Sequence, residues 1–197
     1  MKQLRKTIEQ IVAFIMCMVL LTGNALADEE GPFPDVPADA DYAEAVTVLS
    51  ELGILKGDES GNFNPNNTIT RAEVAVIICR MLGIEDEAKM ISRSSFSDVP
   101  TTYWAVGYIE KAVERGIISG YGNEEFGPTD SITYEQTVKM IVCACDLVDQ
   151  AEDAGGYPKG YLTVAQDYGI TANTVYTQDA AALRSTVAVL FYNSIYG

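Results

Sequence analysis

Phe33-Pro34-Asp35-Val36-Pro37 returns as Phe96-Ser97-Asp98-Val99-Pro100, and Ile69-Thr70 returns as Ile132-Thr133. Between these, Gly53-Ile54 matches Gly116-Ile117, Gly57 matches Gly120, Phe63 matches Phe126 and Pro65 matches Pro128. Every pair keeps the same offset, that of Phe33 to Phe96, without a gap. A register kept across turn glycines, prolines and apolar positions together marks a tandem structural repeat.

Each copy reads helix, loop, helix. Val46, Leu49 and Leu52 follow Tyr42 at helical spacing in the first copy. Trp104, Tyr108, Ile109, Ala112 and Val113 do so in the second. Gly53 and Gly116 stand where a helix-stopping glycine belongs. A Gly-, Asn- and Pro-rich loop follows, carrying one phenylalanine expected to be buried. Thr70-Arg71-Ala72-Glu73 then has the form of a capping box, in which Thr accepts from the third backbone N–H and Glu reaches back to the cap. Val74, Ile77, Ile78, Met81 and Leu82 continue as one apolar face. Thr133-Tyr134-Glu135-Gln136 repeats the box ahead of Val138, Ile141, Cys145 and Val148.

A third, worn copy follows. Gly155-Gly156-Tyr157-Pro158-Lys159-Gly160-Tyr161 opens it, Leu162, Ala165 and Gly169-Ile170 give a first helix with its stop, and Leu183-Arg184-Ser185-Thr186 opens a second. Gly169 to Arg184 is a shorter span than Gly116 to Tyr134, so the third loop has lost a few positions.

Phe-x-Asp-Val, Trp104-Ala105, Gly-Ile, a glycine loop with Phe-x-Pro, and Ile69-Thr70-Arg71-Ala72-Glu73 together resemble the S-layer homology (SLH) domain. Thr133-Tyr134-Glu135-Gln136 followed by Gly-Gly-Tyr-Pro-x-Gly-Tyr resembles arrays of the clostridial, Firmicutes type. The resemblance runs from 33 to 197. It implies a mainly α fold: three helix-loop-helix repeats around a pseudo-threefold axis, short extended segments in the loops, and grooves between neighbours. The expected divisions are a signal peptide at 1–27 and repeats at 28–95, 96–150 and 151–197. It also implies a role: non-covalent docking of an exported protein onto a secondary polymer of a Gram-positive cell wall, often one capped with pyruvylated sugars. The expected location is the secreted, cell-wall-bound surface layer. The second reading is an envelope scaffold that kept the fold, binds other envelope proteins and lost its sugar site.

The chain start agrees independently. Lys2, Arg5 and Lys6 precede an unbroken apolar run, Ile11–Leu21, and Ala25-Leu26-Ala27 offers the small residues of a cleavage site. A helix of that run reaches only about 16 Å, roughly half a bilayer core. The leader carries Lys2, Arg5, Lys6 and Glu9. Cleavage after Ala27 therefore leaves Asp28–Gly197 with 10 basic and 27 acidic side chains, net −17, and no membrane association.

Composition removes several classes of function. The absence of histidine excludes imidazole acid–base chemistry and His-ligated metals. The negative charge opposes nucleic acid, which needs clustered cations. Removal of the leader takes Cys17 and leaves Cys79, Cys143 and Cys145, which read as small buried hydrophobes, because an odd count is a poor disulfide framework and Cys-x-Cys lacks further ligands. Asp58, Asn62 and Asn64 lack EF-hand spacing and read as turn chemistry. No cofactor or metal is expected. With 27 acids some carboxylate pair is inevitable, so such a pair does not identify a glycosidase, and the chain reads as non-catalytic.

A pyruvyl ketal is a carboxylate on a sugar. Its recognition calls for a planar cationic fork, a few donors and an aromatic wall. The resemblance places Arg71 in a groove, at the first turn of its helix beside anion-attracting N–H groups. The bland alternative is a surface arginine, or one paired with Asp35 or Glu73. Tyr134, uncharged, holds the matching place in the second copy and Arg184 in the third. Trp104 offers either a stacking wall or a core anchor. Asp35 and Asp98 could accept from sugar hydroxyls or fix their own turns, and Glu73 is counted with them as a candidate polysaccharide contact.

Overall fold

The computed structural model describes residues 31–196, so the expected leader lies outside the described residues. Eight helices and no sheet occur among them: α1 Ala43–Glu51, α2 Arg71–Met81, α3 Glu85–Lys89, α4 Val106–Glu114, α5 Tyr134–Ala144, α6 Val148–Asp153, α7 Lys159–Asp167 and α8 Arg184–Tyr196. The fold is mainly α, as the periodicity predicts. No described helix is long and apolar enough to cross a membrane.

Both capping boxes form. The Thr70 hydroxyl accepts from the Glu73 N–H and Glu73 reaches back to the Thr70 N–H; Thr133 and Gln136 do the same for α5. Gly53, Gly116 and Gly169 adopt φ of +70°, +69° and +72° just past α1, α4 and α7, a left-handed stop that costs glycine little. Phe63 and Phe126 are fully buried, each against the phenylalanine that opens its copy, with ring centroids 5.6 and 5.3 Å apart. Asp35 accepts from the N–H groups of Phe63 and Asn64, at 2.7 and 2.6 Å. Asp98 accepts from Phe126 and Gly127, at 2.9 and 2.7 Å. These aspartates therefore anchor the distant Phe loop of their own copy rather than their own turns.

The helices pack in an order that periodicity does not specify. α2 packs on α4, α5 packs on α7, and α8 returns to pack on α1, while α5 also touches α2 and α8. Backbone bonds run the same way. The Ile69 N–H donates to the Ala182 carbonyl (3.3 Å), Ala182 to Ile132 (2.8 Å), and Ile132 back to Ile69 (3.0 Å), closing a ring of three. One layer out, Arg71 donates to Asp130 (3.0 Å), Tyr134 to Ala180 (3.2 Å) and Arg184 to Asn67 (2.9 Å). A helix start leaves N–H donors without intrahelical partners. Here the first donor of α2, α5 and α8 is satisfied by a loop distant in sequence, which locks the three segments together.

The short α3, too brief for its periodicity to show in sequence, carries an ion cluster. The Glu85 carboxylate accepts from the Tyr108 hydroxyl (2.8 Å) and pairs with Arg80 (3.2 Å) and Lys89 (3.3 Å), tying α2, α3 and α4. Burial opposes its ionisation, but the hydrogen bonds from Tyr108, Arg80 and Lys89 outweigh burial and hold its pKa down at about 2, against an ordinary 4.5. A folded-state pKa below the unfolded one contributes stability that is present above pH 4.5 and lost as the pH falls through about 2. Urea unfolding at about pH 5.5 and about pH 3 brackets the upper part of that window. Glu85→Gln is expected to lose less stability between the two than the wild type. Equal losses would remove Glu85 from the acid response.

Candidate functional site

Arg71, read as either a groove residue or a surface arginine, is only 3 % exposed. Its Nε donates to the Phe126 carbonyl (2.9 Å) and its Nη2 to the Ser119 carbonyl (3.0 Å). The guanidinium lies 4.5 Å from the Tyr121 ring centroid and 4.8 Å from that of Phe126. It is neither a surface arginine nor paired with Asp35 or Glu73, because the loop carbonyls of the second copy take its fork. Burial lowers its pKa from the ordinary 12.5, opposed chiefly by Tyr121, Asp130 and Asp98; a guanidinium remains charged. Nη1 has no hydrogen-bond partner among the described residues.

Arg184 repeats this geometry one loop earlier. Its Nε donates to the Phe63 carbonyl (2.7 Å) and its Nη2 to the Lys56 carbonyl (3.3 Å). Phe63 and Lys56 are the first-copy counterparts of Phe126 and Ser119. Its Nη1 pairs with Glu73 at 3.0 Å. Arg184, Glu73, Trp104, Lys56 and Arg80 line a groove of about 330 Å³. Trp104 is 60 % exposed and precedes α4, so it is a wall and not a core anchor. Tyr134 docks on the third loop in the matching way, but it is buried, its hydroxyl is 2.7 Å from Thr174 Oγ1, and its ring packs 5.3 Å from Tyr176. Tyr134 itself is covered and uncharged, and a cavity lined by Glu135, Lys159 and Tyr176 opens beside it.

The candidates therefore divide by place. Arg184, Glu73 and Trp104 share one groove, Arg71 sits at a second junction and Tyr134 at a third, while Asp35 and Asp98 lie beneath loops with both carboxylate oxygens committed to the backbone. The expectation of anion-attracting N–H groups beside Arg71 does not hold. The first three donors of α2 go to Asp130, Pro128 and the Thr70 hydroxyl. An anion here must be held by side chains.

Sequence reasoning missed Tyr121, Lys139, Tyr157 and Lys56. The Lys139 ammonium lies 5.3 Å from the Tyr157 ring centroid and 5.8 Å from that of Tyr161. Among the described residues, no group of His, Cys, Asp or Glu could hold a metal ion. Cys79, Cys143 and Cys145 are free. Burial raises the pKa of Cys79 to about 12 and that of Cys145 to about 11, which leaves both thiols protonated and inert.

Residues 32–75 and 95–138 match the S-layer homology domain. The chain is an SLH-domain protein, related to surface-layer and cell-surface proteins, and SLH domains generally serve surface proteins as cell-wall anchoring modules. A cell surface protein of Thermoanaerobacter kivui is 33% identical over 192 residues, 96% of this chain and 24% of that protein. The surface-layer 125 kDa protein of Lysinibacillus sphaericus is 32% identical over 166 residues, 77% of this chain and 14% of that protein. An endoglucanase of a Bacillus species is 29% identical over 154 residues, 75% of this chain and 16% of the enzyme. The chain thus spans a quarter or less of the length of these relatives.

Proposed function

We propose that this chain is exported with cleavage after Ala27 and anchors non-covalently to a secondary cell-wall polysaccharide carrying anionic units, as a non-catalytic module. Three units, 28–95, 96–150 and 151–197, close around a pseudo-threefold axis in this reading. The ring through Ile69, Ile132 and Ala182 and the cyclic order α2–α4, α5–α7, α8–α1 support it. Anionic groups enter at the Arg71 and Arg184 junctions, and the Tyr134 junction takes none.

One observation carries the assignment. Of the ten cations after residue 27, six pair with carboxylates. The other four, Lys56, Arg71, Lys139 and Lys159, have no ion-pair partner among the described residues. They stand at the Arg184 groove, at the Arg71 junction, over Tyr157, and at the cavity beside it. In a chain so strongly acidic, the unneutralised Lys56 and Arg71 at the two junctions suit short-range capture of an anion. At physiological salt the screening length is about 8 Å, so the distant acids matter little to a seated ligand.

The test is a pull-down of residues 28–197 with purified wall, before and after extraction of the secondary polymer. Binding is expected only before extraction, and moderate added salt is expected to preserve or raise it by screening the global repulsion. Equal capture by extracted wall would move the assignment to the scaffold reading.

A further inference from the structure

A separate cavity of about 490 Å³ opens where α5 begins, between α7 and the loop before α8. Its lining includes Glu135, Tyr157, Lys159, Gln166, Tyr176 and Asp179. Glu135 is the unusual member. It is 3 % exposed, and it stands where the first copy has Ala72. Its Oε1 accepts from the Tyr176 hydroxyl (2.9 Å) and the Asp179 N–H (2.8 Å). Its Oε2 is buried with no hydrogen-bond partner among the described residues. Fixing the short third loop uses one oxygen only. An unpaired, buried carboxylate oxygen is costly to keep, and an incoming donor removes that cost.

The surroundings state what donor fits. Glu135 and Asp179 repel anions. Tyr157 and Tyr176, each about half exposed, offer aromatic faces, and Gln166 and Lys159 add polar contacts. An aromatic wall beside an unsatisfied acceptor suits a neutral ring bearing hydroxyl donors. Tyr157 lines this cavity and also sits under the Lys139 ammonium, so it joins the cavity to the cation-bearing side.

We infer that the Glu135–Tyr157–Tyr176 cavity is a second polysaccharide subsite, taking a neutral hydroxyl-bearing sugar next to the anionic unit at Arg71. This rests on the anchoring reading above. The sugar stacks on Tyr157 and donates a hydroxyl to Glu135 Oε2. The two subsites together read a chain with an acidic unit beside a neutral one, a pattern that a lone anion cannot satisfy.

The experiment measures the affinity of residues 28–197 for purified wall polymer, native and after mild acid removal of its carboxylate-bearing ketals. Glu135→Gln removes the free acceptor. Thr163→Trp, at an exposed position on α7, fills the cavity without touching the core and keeps the test valid if the first variant folds poorly. Both variants are expected to bind native and ketal-free polymer roughly five- to twentyfold more weakly than the wild type, the scale of one charge-assisted hydrogen bond. Wild-type affinity of Thr163→Trp for native polymer overturns the subsite while leaving the Arg71 assignment intact. A loss confined to native polymer overturns the neutral-sugar class, because the acidic unit would then be the occupant. Failure of the wild type to bind native polymer sinks the anchoring reading, and the subsite with it.

Discussion

A chain ending at Asp149 is expected to lose cooperative thermal unfolding, although it keeps both segments that match the SLH domain. α8 supplies Val187, Leu190 and Phe191, all fully buried. Side chains of this kind each contribute about 1.5–3 kcal/mol on burial, so the three together represent roughly 5–9 kcal/mol. That is comparable to the whole net stability of an ordinary domain, about 5–15 kcal/mol. The loss is also architectural. α1 would lose α8, α5 would lose both α7 and α8, and the ring through Ile69, Ile132 and Ala182 would open. The first N–H of α5 would lose its acceptor at Ala180. Calorimetry and circular dichroism of 28–149 against 28–197 decide the matter. A transition as sharp in the shorter chain would show that the first two segments fold as a pair, and the closed array would be wrong.

The sequence carries the parts of this molecule more clearly than their partners. Helix starts and stops are local: Thr70 with Glu73 and Gly53 each act close to where they stand, and Phe63 packs on Phe33 within its own copy, so the repeat register displays them twice. The cyclic packing is not local. Nothing in the spacing of Val46 and Leu49 says that α1 packs on α8, at the far end of the chain, and not on the helix that follows it. The short α3 and α6 escape because one turn or so of helix cannot show a period. The site is legible in residue type and not in environment. An arginine is expected to be exposed and a tryptophan buried, yet Arg71 is sealed by loop carbonyls and Trp104 stands in solvent. Glu135 shows the same limit. A carboxylate in the first turn of a helix ordinarily faces water, and only the fold brings the 174–179 loop over this one.

Arg71→Ala is expected to lower both stability and wall binding, and the two effects can be separated. The guanidinium holds two carbonyls, of Phe126 and Ser119, in a site nearly closed to water. Truncation leaves both acceptors unpaired and removes contact with the Tyr121 and Phe126 rings, for a loss of about 2–4 kcal/mol. For a chain of this size that corresponds to roughly 5–15 °C in melting midpoint. Arg71→Lys keeps the charge but reaches at most one carbonyl, so it should recover less than half of the stability. Arg184→Ala should cost less, because that fork is more exposed and one arm spends itself on Glu73. Binding must then be measured well below the variants' midpoints, where all are folded. Under those conditions Arg71→Ala is expected to weaken wall binding about ten- to a hundredfold through loss of the charge-assisted contact at Nη1, with partial recovery in Arg71→Lys. A Tyr134 substitution should leave charge recognition largely unaffected, since the Tyr134 side chain carries no charge. Equal binding by the wild type and a folded Arg71→Ala, Arg184→Ala double variant would show both arginines to be clamps between segments and nothing more. The anion would then have to be held by Lys56, Lys139 and Lys159 alone, or the scaffold reading would take its place.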